Sequence, residues 1–215
     1  MLLLSLLQSP FYAIIAIIGL LFAITIHEYA HAWMANRLGD PTAKNLGRLT
    51  LNPISHLDPL GTLFLLIAGF GWGKPVPYNP SNLKNDSDEI KVALAGVAAN
   101  FLFALILGIP LRIATLSGIT IDTNLSLSAL ALILEMNLVL IAFNLIPIPP
   151  LDGSKLVFPF ISFNVRLSYE RIGPMILFAI IIASNFFGSP LLTYYMDPVI
   201  RFLSFLVRGT YTSIF

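Results

Sequence analysis

The sequence predicts an all-α polytopic membrane protein with about five to six transmembrane helices. A re-entrant hairpin or loop is expected near residues 58–80, and a proline-broken helix at 147–153. Three observations predict this class. First, 57% of the 215 residues are hydrophobic, 11% are charged and the mean hydropathy is +0.85, more apolar surface than one soluble core can bury. Second, uncharged runs of about 20 residues, the length needed to cross the hydrocarbon, recur along the chain. Third, lysine and arginine concentrate in some of the intervening connections and are missing from others. A single membrane-embedded domain is expected over 1–215, with a core at about 10–163 and C-terminal helices at about 172–207.

The same composition excludes other classes. A formal net charge of +1, with 12 Lys and Arg dispersed along the chain, provides no basic tract for nucleic acid. With no cysteine there is no disulfide framework, thiolate ligand or cysteine nucleophile, so any metal must be held by histidine and carboxylate. The stretch Met1–Gln8 lacks the basic residue of a signal peptide, so the N-terminus is expected to be retained.

The first span is expected from about Pro10 to Arg37. Arg37, Lys44 and Arg48 follow it and nothing basic precedes it, which places the N-terminus outside and the 38–57 loop in the cytoplasm. The next apolar stretch, Leu60–Phe70, is too short for a comfortable crossing, and both flanking loops carry basic residues, so a hairpin returning to the same face is predicted. Prolines 75, 77 and 80 forbid a helix in the segment that follows. Irregular backbone at membrane depth survives only inside protein or beside a wet cavity, so residues 71–80 are expected to line one, the alternative being a plain interfacial loop. A second span is expected from about Ile90 to Leu116, and its small-residue patch around Gly96 reads by default as helix packing, with Asn100 available for an interhelical hydrogen bond. A third runs from about Ser126 to Leu145 and is broken by Pro147, Pro149 and Pro150, with a short helical continuation over about 154–163. Residues 172–188 read as another span. Residues 191–207 carry Asp197 and Arg201 four apart, an internal ion pair or an interfacial helix.

Chemistry enters at His27-Glu28-Tyr29-Ala30-His31. Residues four apart share a helix face, so His27 and His31 can offer two imidazoles to one metal ion while Glu28 reaches a water held there. Two of only three histidines stand at this spacing, inside a span where ionisable groups mark function by default. Catalytic zinc keeps three protein ligands and an open position. Asp152, on the proline-broken backbone, is the carboxylate that the hairpin topology brings to the depth of His27. Glu135 is the rival, about 25 Å away by helical rise. Other classes compatible with a buried His/Asp cluster are a transporter or ion-binding protein and a catalytically silent scaffold. The absence of a visible internal repeat disfavours the first, and the intact Glu28 disfavours the second.

The pair formed by His27-Glu28-Tyr29-Ala30-His31 and Asn144-Leu145-Ile146-Pro147-Ile148-Pro149-Pro150-Leu151-Asp152-Gly153 resembles the signature of the site-2 protease family of intramembrane zinc metalloproteases, peptidase family M50. Asn52–Gly61 and Gly73–Pro80 resemble its compact bacterial and archaeal branch, which lacks PDZ and CBS domains, and the similarity extends over about residues 10–160. The resemblance implies a zinc-dependent intramembrane endopeptidase in the cell membrane. One Zn2+ would be held by His27, His31 and Asp152, with Glu28 as general base and a site nearer the cytoplasmic face. The substrate it implies is a transmembrane protein, trimmed beforehand on the outer side. It also implies that Asn144 orients substrate or oxyanion, and that Lys74, Pro75, Val76 and Pro77 belong to a loop that clamps an unwound substrate. His56 fits the branch's pattern, either beside the site and facing substrate or as a loop cap. The chain has Val97 where many members have proline after the glycine.

Overall fold

The computed structural model describes residues 9–68, 71–85 and 87–209; Met1–Gln8, where a retained N-terminus was expected, lie outside the described residues. Helix α1 (Pro10–Leu38) begins with proline at its first position, where the missing N–H is no loss. It ends at Gly39, whose φ of 112° is left-handed, and the next N–H, of Asp40, closes the end on Ala35 O at 2.9 Å. A short helix α2 (Thr42–Asn45) and a 3-10 turn (Pro53–His56) follow. Asn52 caps that turn by accepting the Ile54 N–H at 3.1 Å.

Helix α3 (Pro59–Ala68) has ten residues, too few to span. The chain then returns. Leu57 and Gly73 form an antiparallel bridge, and the Lys74 N–H donates to His56 O at 2.8 Å. The expected hairpin is therefore present, with residues 69–70 of its tip outside the described set. Residues 71–79 form an extended strap without helix, as the prolines require.

Helices α4 (Ser87–Leu116) and α5 (Leu125–Asn144) pack against α1 to form the central bundle. Gly19 of α1 lets Ile133 of α5 approach to 3.1 Å of the place a Cβ would take. Leu111, Leu134, Leu138 and Ile141 are fully buried between α4 and α5, joined by Ile200 and Val207 of α7 (Leu191–Arg208). Helix α6 (Phe163–Phe187) packs on α7 and begins well before residue 172, so it includes Arg166 and Arg171.

Among the described residues four helices, α1, α4, α5 and α6, are long and apolar enough to cross a membrane, where about five to six were expected. Helix α7 is not among them. It carries Asp197 and Arg201 as an ion pair at 2.7 Å, together with Arg208. Between α5 and α6 the expected short helical continuation is a 3-10 helix, Asp152–Phe160, with Pro159 inside it, since a proline cannot donate to an α-helical ladder. The carbonyls freed by the break are satisfied from the C-terminal helices. Tyr195 OH donates to Leu145 O at 2.8 Å, and Tyr169 OH to Pro147 O. Exposed Phe163, Met175, Phe178 and Phe187 on α6 form part of an apolar exterior suited to lipid.

Candidate metal centre

The α-helical period turns His27 and His31 to the same side of α1, their ring centroids 4.5 Å apart and their planes at 89°. The proline break carries Asp152 across to meet them. Its Oδ2 lies 3.0 Å from His27 Nε2 and 3.3 Å from His31 Nε2, and the three side chains form the cluster able to hold a metal among the described residues. Two ligands at zinc bonding distance and a tetrahedral angle stand about 3.3 Å apart, so the spacing fits.

A second observation bears on the fit. Asp152 Oδ2 is buried yet makes no hydrogen bond, although two ring nitrogens are this close. The rings do not aim an N–H at it. The three ligand atoms lie within 4.8 Å of one another, a grouping that suits a cation. The His31 Nδ1–H donates to the Val92 carbonyl of α4 at 2.7 Å, leaving Nε2 with its lone pair.

Glu28 faces the same cavity, of about 520 Å³, walled by α1, α3, the strap, α4, α5 and residues 150–155. Its Oε2 accepts the Val76 N–H at 2.8 Å. Pro75, Val76 and Tyr78 line the cavity, whereas Lys74 and Pro77 do not. The Lys74 carbonyl instead accepts Arg48 Nη2 at 2.7 Å. Of the strap, Gly71, Trp72, Gly73, Pro75, Val76 and Tyr78 line the cavity. Asn144 lines the cavity, with Nδ2 donating to Leu140 O at 3.0 Å. His56 does not reach it: fully buried, it donates from Nε2 to Thr50 O at 2.8 Å, which favours the loop-capping alternative. Glu135 is remote from the cluster and pairs with Arg208 Nη1 at 3.4 Å.

Sequence reasoning missed four contributors. Gly96 was read as packing, but a Cβ there would stand 2.5 Å from His31 Nε2 and 2.7 Å from Cε1 of each imidazole; the missing side chain makes room for the rings. Asn100, fully buried four residues on, puts Nδ2 3.4 Å from His27 Nδ1, and its Oδ1 has no partner. Spacings of four from Val92 through Gly96 to Asn100, matched to the His27–His31 spacing, were the available signal. Arg48 ties one end of the strap. Asp40 ties the other, accepting Asn79 N–H and Asn82 Nδ2 at 2.7 Å each, Thr42 Oγ1 at 2.5 Å and Thr42 N–H at 3.1 Å. Burial works against the charged form of Asp40, yet these donors hold its carboxyl below the ordinary carboxylate range. At the rim, Lys155 pairs with Glu170 at 3.2 Å, and Arg166 with Glu89 at 2.8 Å.

A His-x-x-x-His pair, a carboxylate as third ligand and an adjacent glutamate, inside a bundle of membrane-length helices, define a membrane metallopeptidase. Comparison with known proteins agrees. The sequence model of peptidase family M50 matches residues 107–184. "Putative zinc metalloprotease YwhC" of Bacillus subtilis is 36% identical over 189 residues, covering 86% of this chain and 85% of that protein. "Putative zinc metalloprotease Rip2" of Mycolicibacterium smegmatis is 34% identical over 152 residues, 65% of this chain and 54% of its own. Rip2 of Mycobacterium tuberculosis is 28% identical over 203 residues, 88% and 73% of the two chains. No solved structure matches. The chain belongs to peptidase family M50, and is a membrane metalloendopeptidase whose cofactor is Zn2+.

Proposed function

We propose that this chain, acting as a single membrane-embedded domain, hydrolyses a peptide bond within or near a transmembrane segment of a membrane-protein substrate, as a step of regulated intramembrane proteolysis. The observation that carries the reading is the meeting of His27, His31 and Asp152, from stretches more than a hundred residues apart, around an Asp152 oxygen with no hydrogen bond. These three hold the zinc. When bound there, the ion supplies Lewis acidity, polarising a carbonyl and bringing the pKa of water to about 7.

The remaining work falls to the chain. Glu28, one oxygen steadied by the Val76 N–H, takes a proton from water on the other and delivers it to the leaving amine. Asn144 orients the scissile carbonyl from the α5 side of the cavity. The strap presents carbonyls along the opposite side, against which an unwound substrate segment donates its own N–H groups. Pro75 and Pro77 have no N–H to offer in return.

Nine of the 12 Lys and Arg, at 37, 44, 48, 74, 84, 91, 155, 166 and 171, fall in or beside the connections at the metal-proximal end of the bundle. That bias supports a cell-membrane protein with the N-terminus outside and the site nearer the cytoplasm. The native chain has no cysteine, so single introduced cysteines at Ser9 and Lys84 allow the orientation to be read by impermeant labelling.

The central test uses purified full-length protein, metal analysis and a transmembrane peptide substrate. Wild type should carry one zinc and cleave. Glu28→Gln should keep zinc and lose about 10²–10⁴ in cleavage rate. Asp152→Ala should lose both. Full activity in either variant would overturn the assignment.

A further inference from the structure

We infer that Asn100 is a positioning residue that fixes the tautomer of His27, its side-chain oxygen accepting the Nδ1 proton so that Nε2 keeps the lone pair used for zinc. The inference rests on the metal reading above and deepens it. Helix α4 turns Val92, Gly96 and Asn100, spaced by four, toward His27 and His31 of α1, also spaced by four. At His31 the arrangement is explicit: a carbonyl can only accept, so the 2.7 Å contact with Val92 O puts the neutral ring's proton on Nδ1, the tautomer in which Nε2 is bare.

His27 is the counterpart. Its Nε2 faces Asp152 at 3.0 Å, and its Nδ1 faces the Asn100 carboxamide at 3.4 Å. If Nε2 binds zinc, Nδ1 carries a proton and needs an acceptor. A carboxamide presents oxygen or nitrogen at the same place by a half-turn. That half-turn brings the unpartnered Oδ1 to Nδ1. In the opposite assignment Asn100 Nδ2 would donate to a bare Nδ1, and the proton on Nε2 would occupy the position that faces Asp152 Oδ2, the side on which the metal is held. Asn137 of α5 holds the site from behind, its Nδ2 donating to the Asn100 main-chain oxygen at 2.8 Å.

The test measures zinc affinity of the detergent-purified full chain by chelator competition. Asn100→Leu keeps the shape and deletes the acceptor; Asn100→Asp keeps the shape and can only accept. Affinity should fall about 10–100-fold in Asn100→Leu and stay within about threefold of wild type in Asn100→Asp. A residue that merely glued helices would give the reverse sensitivity, because a buried carboxylate packs no better than a leucine. Wild-type affinity in Asn100→Leu, or an equal loss in both variants, would overturn the inference. A wild-type protein that binds no zinc would remove the metal reading beneath it, a separate and recognisable failure. Should neither variant fold, 15N-histidine NMR of zinc-loaded wild type decides: a protonated Nδ1 on His27 is expected, and a bare one refutes.

Discussion

The two sides of the cavity are built differently. On the helical side, α1, α4 and α5 present imidazoles, a glycine and two amides from rigid, packed backbone, with Asn100 and Asn137 fully buried. On the other side a non-helical strap offers the metal site one main-chain N–H, that of Val76, and is tied at its ends by Arg48, His56 and Asp40. The difference teaches a division of labour. Holding an ion to within a fraction of an ångström calls for helices that cannot shift, while admitting a polypeptide calls for backbone with unspent carbonyls and movable anchors. Zinc affinity and substrate handling should therefore respond to different substitutions.

The strongest way to break that separation is at Gly96. A methyl group 2.5 Å from His31 Nε2 must displace an imidazole, since neither helix backbone can retreat. Gly96→Ala should lose at least about 100-fold in zinc affinity by chelator competition, with cleavage lost in parallel. Near-normal affinity would mean that the helical side is softer than argued.

Asp40→Ala probes the other side. Four hydrogen bonds disappear, two from Asn79 and Asn82 at the end of the strap and two from Thr42, so cleavage should fall about tenfold through misplacement of the substrate, with zinc content unchanged. Loss of zinc in this variant would join the two sides into one unit. The same anchor gives a pH signature. Because the folded Asp40 carboxyl titrates below its ordinary value of 3.8, its stabilisation is complete above that value and is lost as pH falls through the folded pKa. Amide exchange at Asn79, corrected for intrinsic rate, should accelerate only on the acid side of the ordinary carboxylate range. Acceleration between about pH 5 and pH 7 would contradict the assignment, that window lying above the ordinary carboxylate value of 3.8.

The smallest effect is expected at Arg201. Its pair with Asp197 is half-exposed, so Arg201→Ala should change stability by under about 0.5 kcal/mol and leave zinc and cleavage alone. A large change in either would bring α7 into the working part of the molecule.

Much of this was legible in the sequence. The His27–His31 spacing, the proline break before Asp152 and the basic loops that demand a hairpin are local patterns with one physical consequence each, and together they fix which distant stretches meet. What was not legible depends on facing surfaces. Gly96 and Asn100 look like any small-residue packing patch until α4 is rotated against α1, and Asp40 looks like a residue following a helix cap until the strap returns to it. His56 stands in a motif-like run, yet burial gives it to Thr50. Glu135 needed a partner from a helix some seventy residues later, and no periodicity announces Arg208.

The contact between His31 and Val92 has a further consequence, for how variation can accumulate. It is made by a peptide carbonyl, which every amino acid supplies, so position 92 can change among apolar types without removing the support. Position 100 has no such insurance, because there the neighbouring imidazole meets a side chain. A saturation library selected for proteolysis should therefore fill column 92 with alternatives and leave column 100 almost bare.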